Sequence, residues 1–469
     1  LEDRIAAGDS LLARVPPDGQ AGGSSHPADG TGDWPLGFRG PLSRGGFDVL
    51  LMNPPYLAAN RVPGAQRDGF AGYRASLKAR YGFSSDPYVH FFHQGLGLLR
   101  PEGILAAITP GSFLTNSTRE PLRRELLRHR LKLIALMPAG LFPALVYPVV
   151  TLLQKGKPEP GHRLLFADLR GGDGRSVTAV PQQDYLDGYA AHFYQPTPEN
   201  RRLYHQLLPA RAMVELGDRR FAPLGVVAPA LDTGIDSGNV RERLFLRQPE
   251  PGRVLHRLLQ GTQVVRYGCW WEHPSARFRY VDTGYRPDPA RRGTGRAGIE
   301  SGKGEYWRFR GAVENHHVAE RLLMRQTADQ PFVGYLRQGE ERVYTDNTLH
   351  TLLLTDGGRE LGISYGYLLA LLNSATLRRI YQAVAQEEGR VLAQVKTGIV
   401  NLLPILVPER GEKARLEEWV AAIQGLYGDS GFPLAPADEE RLRCLQARID
   451  RLVAEMYRPI REDHPVAGP

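Results

Sequence analysis

The chain has 469 residues, a net charge of +8, 42% hydrophobic and 23% charged residues. That length exceeds one ordinary domain, and that composition excludes a wholly disordered chain. Only seven of the 59 basic residues are lysine, and an arginine-rich excess suits an anionic partner, although codon usage in a GC-rich genome yields the same bias.

Alternating strand and helix signals run through the first part of the chain. Pro16 to Gly46 is rich in Gly, Pro and Ser and reads as a surface insertion. Phe47-Asp-Val-Leu-Leu-Met52 lies between glycines and prolines and reads as a buried strand. Tyr88 to Leu99 is apolar at helical spacing, and Ile104 to Ile108 reads as a second buried strand. Arg119 to His129 predicts a basic amphipathic helix, Lys132 to Met137 a strand, and Val149 to Leu153 another. Such alternation predicts a mostly parallel sheet with helices on both faces. From about residue 195 strand-like runs are short, as at Gly225 to Val227 and Thr262 to Tyr267, and arginines interleave with aromatics. An α+β domain with a polar binding surface follows from that pattern. Ile363 to Gln386 reads as one long helical stretch, and Lys413 to Tyr457 as two helices around a Gly/Pro break. The 88 glycines and prolines (52 + 36) argue against repeat solenoids.

Other classes fall away quickly. No apolar run reaches the roughly eighteen residues of a membrane span, and Leu1 to Val15 lacks the apolar core of a signal peptide. Cys269 and Cys444 are the only cysteines, too few for a disulfide scaffold or a four-cysteine zinc site. A reducing, cytoplasmic location is expected. His90 and His93 lie three apart on one helix without an acidic or cysteine cluster, so buried or solvent-facing histidines explain them better than a metal site.

Chemistry concentrates at Asn53-Pro-Pro-Tyr56, directly after the first strand. In α/β sheets ligands bind beyond the carboxyl ends of strands. Two prolines fix φ and leave carbonyls without neighbouring N–H groups. The Asn side chain adds an acceptor and Tyr a flat apolar face, which together suit a planar, amino-bearing base. A rigid proline turn with a capping Asn is the alternative.

The run F-D-V-L-L-M-N-P-P-Y resembles motif IV of the amino-methylating DNA methyltransferases, specifically the TaqI-type adenine-N6 enzymes of restriction–modification systems. Ile5-Ala-Ala-Gly-Asp-Ser-Leu-Leu12 resembles motif III, where Asp9 would bind the adenine of S-adenosylmethionine. Leu141-Phe-Pro143 resembles the segment that sets an aromatic, here Phe142, against a flipped base. Tyr365 to Ser374 and Gln394 to Pro408 resemble the TaqI-like specificity domain. The resemblance implies a partial Rossmann-like, S-adenosylmethionine-dependent α/β core over 1–190. An α+β target-recognition domain over 195–410 and a helical C-terminal tail over 411–469 would follow. It implies methyl transfer to adenine N6 of a flipped base in double-stranded DNA, with Asn53, Pro54, Pro55 and Tyr56 catalytic and Tyr56 and Phe142 stacking on the base. Asp9, Asn53, Pro55 and Asp86 would face the cofactor, although Asp86 is equally an ordinary helix N-cap. Lys396, Thr397, Arg266 and Arg308 are the candidate DNA contacts, with Arg277, Arg310 and Arg325 behind them. Thr233 to Gly238 resembles the turn that opens the recognition domain near DNA.

One departure stands out. The family's glycine-rich motif I should precede Asp9 and does not fit in the eight residues available, and the downstream clusters Gly234 to Gly238 and Gly293 to Gly298 do not follow an apolar strand with the expected aromatic. With Leu1 rather than Met at the start, a truncated product or one half of a split enzyme is expected, its cofactor pocket completed by an upstream chain or domain. The alternatives are a non-catalytic DNA-recognition subunit, and an RNA or protein-glutamine methyltransferase. A restriction nuclease partner, the target sequence and the oligomeric state are not legible.

Overall fold

A computed structural model describes residues 36–55, 75, 78–79, 86–138, 140–141, 147–171, 175–291, 304–316, 318–327, 332–337, 342–385, 394–430 and 433–461. The chain divides into two compact units, Leu1–Pro196 and Thr197–Pro469. Among the described residues no helix is long and apolar enough to cross a membrane.

The first unit is a six-stranded sheet with spatial order β1-β2-β4-β3-β5-β6. Its strands are β1 (Phe47–Met52), β2 (Leu99–Pro110), β3 (Arg130–Leu136), β4 (Pro148–Gln154), β5 (Arg163–Asp168) and β6 (Ser176–Pro181). The pairs β1–β2 and β3–β5 are parallel, whereas β2–β4, β3–β4 and β5–β6 are antiparallel. The expected mostly parallel sheet is therefore a mixed one. Strand β4 returns as a hairpin after β3 and slots between β2 and β3, and no periodicity within one segment encodes that insertion. β5 and β6 extend the sheet beyond the last strand legible in the sequence.

Helix α1 (Pro87–Leu98) runs straight into β2. Its Gly95 explains the tight packing: a Cβ there would lie 2.8 Å from Leu105 Cδ1 and 2.9 Å from Leu50 Cδ2. The predicted helix at Arg119 begins as a 3-10 turn, Ser117–Arg119, and becomes α2 over Glu120–Leu126. Arg123 of α2 is fully buried and donates to the carbonyls of Phe113 (2.7 Å), Asn116 (2.8 Å) and Ala190 (2.9 Å). One guanidinium thus ties the loop after β2 to the Tyr189–Ala191 turn.

β1 corrects a second expectation. Among the described residues it is an edge strand, and Val49 and Leu51 are 54% and 77% exposed. An apolar run reads as buried from sequence alone, yet here half of its side chains point away from any described cover.

The second unit is built from short strands. A two-stranded ribbon pairs β7 (Gly234–Asp236) with β8 (Arg308–Arg310). A four-stranded sheet holds β9 (Glu320–Arg325), β10 (Val333–Arg337) and β11 (Leu349–Leu352), with Ala230–Leu231 at one edge. One core gathers Ile235, Leu244, Phe245, Leu258, Phe278 and Tyr344 under the ribbon. Gly225 to Val227 lies in a helical turn, Leu224–Val227, rather than a strand. The expected long helix breaks into α3 (Tyr365–Leu372) and α4 (Ala375–Ala385). Asn373 makes the break: its amide donates to the Val333 carbonyl (2.9 Å) and accepts from the Val333 N–H (3.0 Å). The C-terminal helices α5 (Arg410–Ser430) and α6 (Pro436–Met456) pack within this unit. Asp450 of α6 caps α4 by accepting from the Ala375 N–H at 2.7 Å.

Candidate active site and nucleic-acid surface

The catalytic candidates sit where the parallel pair β1–β2 ends. Met52 pairs with Ala107, so Asn53 to Pro55 leave the sheet beside the last residues of β2. Asn53 is exposed, Pro54 buried and Pro55 exposed. A buried middle proline anchors the turn and leaves the Asn amide open to a ligand. Tyr56, Phe142 and Asp9 lie outside the described residues.

Because α1 feeds directly into β2, its N-terminus returns to the same end of the sheet as Asn53. A polar cluster forms there that sequence reasoning did not find. The Arg119 guanidinium donates to Asp86 Oδ2 at 2.6 Å and to the Tyr88 hydroxyl at 3.3 Å. Tyr88 Oη also lies 3.3 Å from Ser112 Oγ. Tyr88 is 2% exposed, and burial raises its phenol above the usual range. Asp86 occupies the N-cap position of α1 but makes no capping bond through its side chain. Its carboxylate faces Arg119 instead, so an ordinary capping role does not account for it. The pairing spans 33 residues of sequence; the family resemblance points to Asp86, whereas Arg119 and Ser112 carry no local signal.

His90 is buried and His93 half-buried on α1, and burial lowers His90 to about 4. Among the described residues no group of histidines, cysteines and carboxylates could hold a metal ion.

The nucleic-acid candidates lie in the second unit. Arg308 is exposed on β8, its Nε 3.3 Å from Asp236 Oδ2 across the ribbon. Arg310, two residues on, lies 3.4 Å from Asp232 Oδ2. Asp232 Oδ1 is 2.8 Å from Nδ1 of the buried His350, whose Nε2 is 3.1 Å from the Val395 carbonyl. Lys396 follows Val395 and is exposed, and Thr397 is half-buried at the start of the helical turn Thr397–Val400. A chain of close polar contacts through Asp232 and His350 therefore links Arg310 to the Lys396 segment. Thr233 to Gly238, expected as a turn, contributes β7 to this ribbon.

Arg266 is placed differently. It sits in the tight turn between Val264–Val265 and Gly268–Cys269, half-buried, and burial followed by the charge of Arg378 lowers its guanidinium. The Tyr427 hydroxyl of α5 donates to its carbonyl at 3.0 Å. Arg277 pairs with Glu242 at 2.6 Å, and Arg325 lies 5.7 Å over the Phe332 ring.

Two protein families align with these two regions. The Eco57I restriction-modification methylase family matches residues 27–138, which contain Asn53 to Pro55 and the Asp86–Arg119 cluster. The TaqI-like C-terminal specificity domain matches residues 256–405, which contain Arg308, Arg310 and Lys396. Residues 27–138 are thus similar to Eco57I restriction-modification methylases and residues 256–405 to TaqI-like C-terminal specificity domains. Among solved structures, the Type IIL restriction-modification enzyme MmeI in complex with DNA aligns with a TM-score of 0.53 at 10% identity, covering 89% of this chain and 55% of that one. That likeness is one of fold. The type IIG restriction endonuclease BpuSI aligns at a TM-score of 0.30 and 14% identity, covering 88% of this chain and 55% of that one. The DrdV–DNA complex aligns at 0.41 and 12%, covering 81% and 44%. The chain thus spans about half the length of these relatives. No curated protein matches it.

Proposed function

We propose that this chain is the base-binding and recognition part of a DNA adenine-N6 methyltransferase in a restriction–modification system. The observation that carries the reading is the Asn53-Pro54-Pro55 turn at the carboxyl end of β1, with Asn53 exposed on a buried proline. S-adenosylmethionine, when bound, supplies the methyl group. This chain's residues bind and orient the acceptor. The exocyclic amino nitrogen of adenine is a weak nucleophile because its lone pair is delocalised into the ring. Asn53 Oδ1 and the Pro54 carbonyl accept its two N–H groups, turn the lone pair out of the ring plane, and stabilise the positive charge that grows on nitrogen. Tyr56 and Phe142 clamp the extruded base and offset the cost of unstacking it.

The residues at hand fit the acceptor side of such a site better than the cofactor side. Asn53, Pro55 and Asp86 could line the methionine end, and Asp9 the adenine, but the Asp86 carboxylate is already engaged by Arg119. The glycine-rich turn that the resemblance expects before Asp9 is not among the described residues. A partner chain or segment that carries that turn would complete the pocket. The exposed apolar side chains of Val49 and Leu51 on β1 favour it, because a further layer packed on that face of the sheet would bury them.

A second reading, a DNA-recognition subunit without catalysis of its own, rests on the same missing turn. The two separate in one assay. Purified chain, alone and with the product of its flanking reading frame, is given tritiated S-adenosylmethionine and duplex DNA. Label in adenine, lost in Asn53→Ala while DNA binding persists, supports the main reading. DNA binding with no transfer under either condition supports the second. Label in RNA or protein glutamine instead of DNA rejects both.

A further inference from the structure

Resting on the DNA-binding reading above, we propose that the outer face of the β7/β8 ribbon reads base edges, with Arg308 and Arg310 recognising guanines. The ribbon has two chemically distinct faces. Ile235 pairs with Phe309, and both face the core beside Trp307. Alternation then turns Arg308 and Arg310 outward on β8 and Asp236 outward on β7, with Asp232 two residues before Gly234. Gly234 faces Arg310 across the ribbon, so no side chain of β7 blocks it. A two-stranded ribbon is an element that the major groove admits, and arginine pairs bidentately with guanine O6 and N7 there.

Each arginine is aimed by a carboxylate that is itself held elsewhere. Asp236 Oδ1 accepts from the Gly238 N–H at 3.1 Å, leaving Oδ2 for Arg308. Asp232 Oδ1 faces His350, leaving Oδ2 for Arg310. The Arg–Asp contacts, at 3.3 and 3.4 Å, are long ones, and with Arg308 71% and Arg310 32% exposed each guanidinium keeps donors for a stronger partner. A carboxylate beside such an arginine also suits the N4 amino group of the paired cytosine. Asp232 and Asp236 are therefore positioning residues, and the arginines are the readers.

Phosphate contact is the competing role for the same arginines, and the two leave different signatures. The test selects bound duplexes from a randomised library with the full chain and its variants, and measures the salt dependence of binding. Wild type should prefer G·C by roughly tenfold or more at two positions. Arg308→Ala should lose that preference at one position and Arg310→Ala at the other, with the remaining positions and the salt slope unchanged. Arg308→Lys and Arg310→Lys, which keep the charge without the planar fork, should weaken it at the same positions. Asp236→Asn should weaken the preference that Arg308 confers. Uniform weakening across all sequences with a shallower salt slope would make the arginines phosphate contacts and overturn the proposal. Unchanged preferences in every variant would overturn it too. If wild type binds DNA without selecting any sequence, the ribbon proposal fails while DNA binding stands; if it binds no DNA, the functional reading itself fails. Arg308 is exposed, so a matching circular dichroism spectrum confirms that its variants remain folded.

Discussion

The turn proposed for catalysis and the ribbon proposed for recognition are built in opposite ways. Asn53, Pro54 and Pro55 are consecutive residues whose geometry is fixed by two ring-locked φ angles and one buried proline. The ribbon assembles Asp236 with Arg308 and Asp232 with Arg310 across 72 and 78 residues of chain. The turn carries its function in local sequence, whereas the ribbon carries it in register. A one-residue slip of β8 would turn Phe309 outward and both arginines into the core.

Breaking the turn should have the largest effect. Asn53→Ala removes an acceptor that acts on charge developing in the transition state, and methyl transfer should fall by about 10²–10³. Steady-state transfer assays check the rate, and gel shifts check that DNA affinity is retained. Next comes the support behind that end of the sheet. Arg123→Ala removes a fully buried guanidinium that donates to the Phe113, Asn116 and Ala190 carbonyls and should cost on the order of 3 kcal/mol, read as a lower urea midpoint.

The ribbon has its own backbone dependence. Gly234 has φ +107°, and a Cβ there would lie 2.3 Å from the Asp346 carbonyl oxygen. Gly234→Ala should cost about 2 kcal/mol and displace β7, degrading sequence preference while leaving the catalytic turn intact. Equal loss of methyl transfer on a sequence-independent substrate would show that the two regions are not separable.

A smaller effect follows pH. Burial lowers His90 to about 4 and His192 to about 3 in the first unit. The unfolded chain takes up these protons near pH ~6.5, and the folded chain resists them until those lower values. Their contribution to stability is therefore full above ~6.5 and is lost as pH falls toward 4. The melting temperature should decline between pH 7 and 5, with a shallower decline in His192→Gln. At the bottom of the scale, Arg308→Ala should change stability by less than ~0.5 kcal/mol, because its pairing is an exposed one. Sequence preference lost without loss of stability would set the ribbon apart from the structural arginine at 123.

Legibility in the sequence follows the same division. Most strands and helices of the first unit are written as contiguous apolar runs, and β2, β3, β4 and α1 lie within a few residues of where periodicity puts them. The insertion of β4 between β2 and β3 is a choice of partner and leaves no mark in either strand. Motif likeness singled out Asn53 to Pro55 and Asp86. Arg119, which holds Asp86 and Tyr88, went unnoticed as part of a site because it looked like one more basic residue at a helix start. Arg308 was picked out by composition, whereas its pairing with Asp236 and the half-burial of Arg266 depend on long-range strand register and on α5.

The central claim is that the Asn53 turn presents adenine for methylation. Its most direct test is nucleoside mass spectrometry of DNA from a methylation-deficient host that expresses the chain with its flanking genomic sequence. N6-methyladenine at one sequence context, absent when Asn53 is Ala, is the predicted result. Unmodified adenine, or N6-methyladenine that persists in Asn53→Ala, would contradict it.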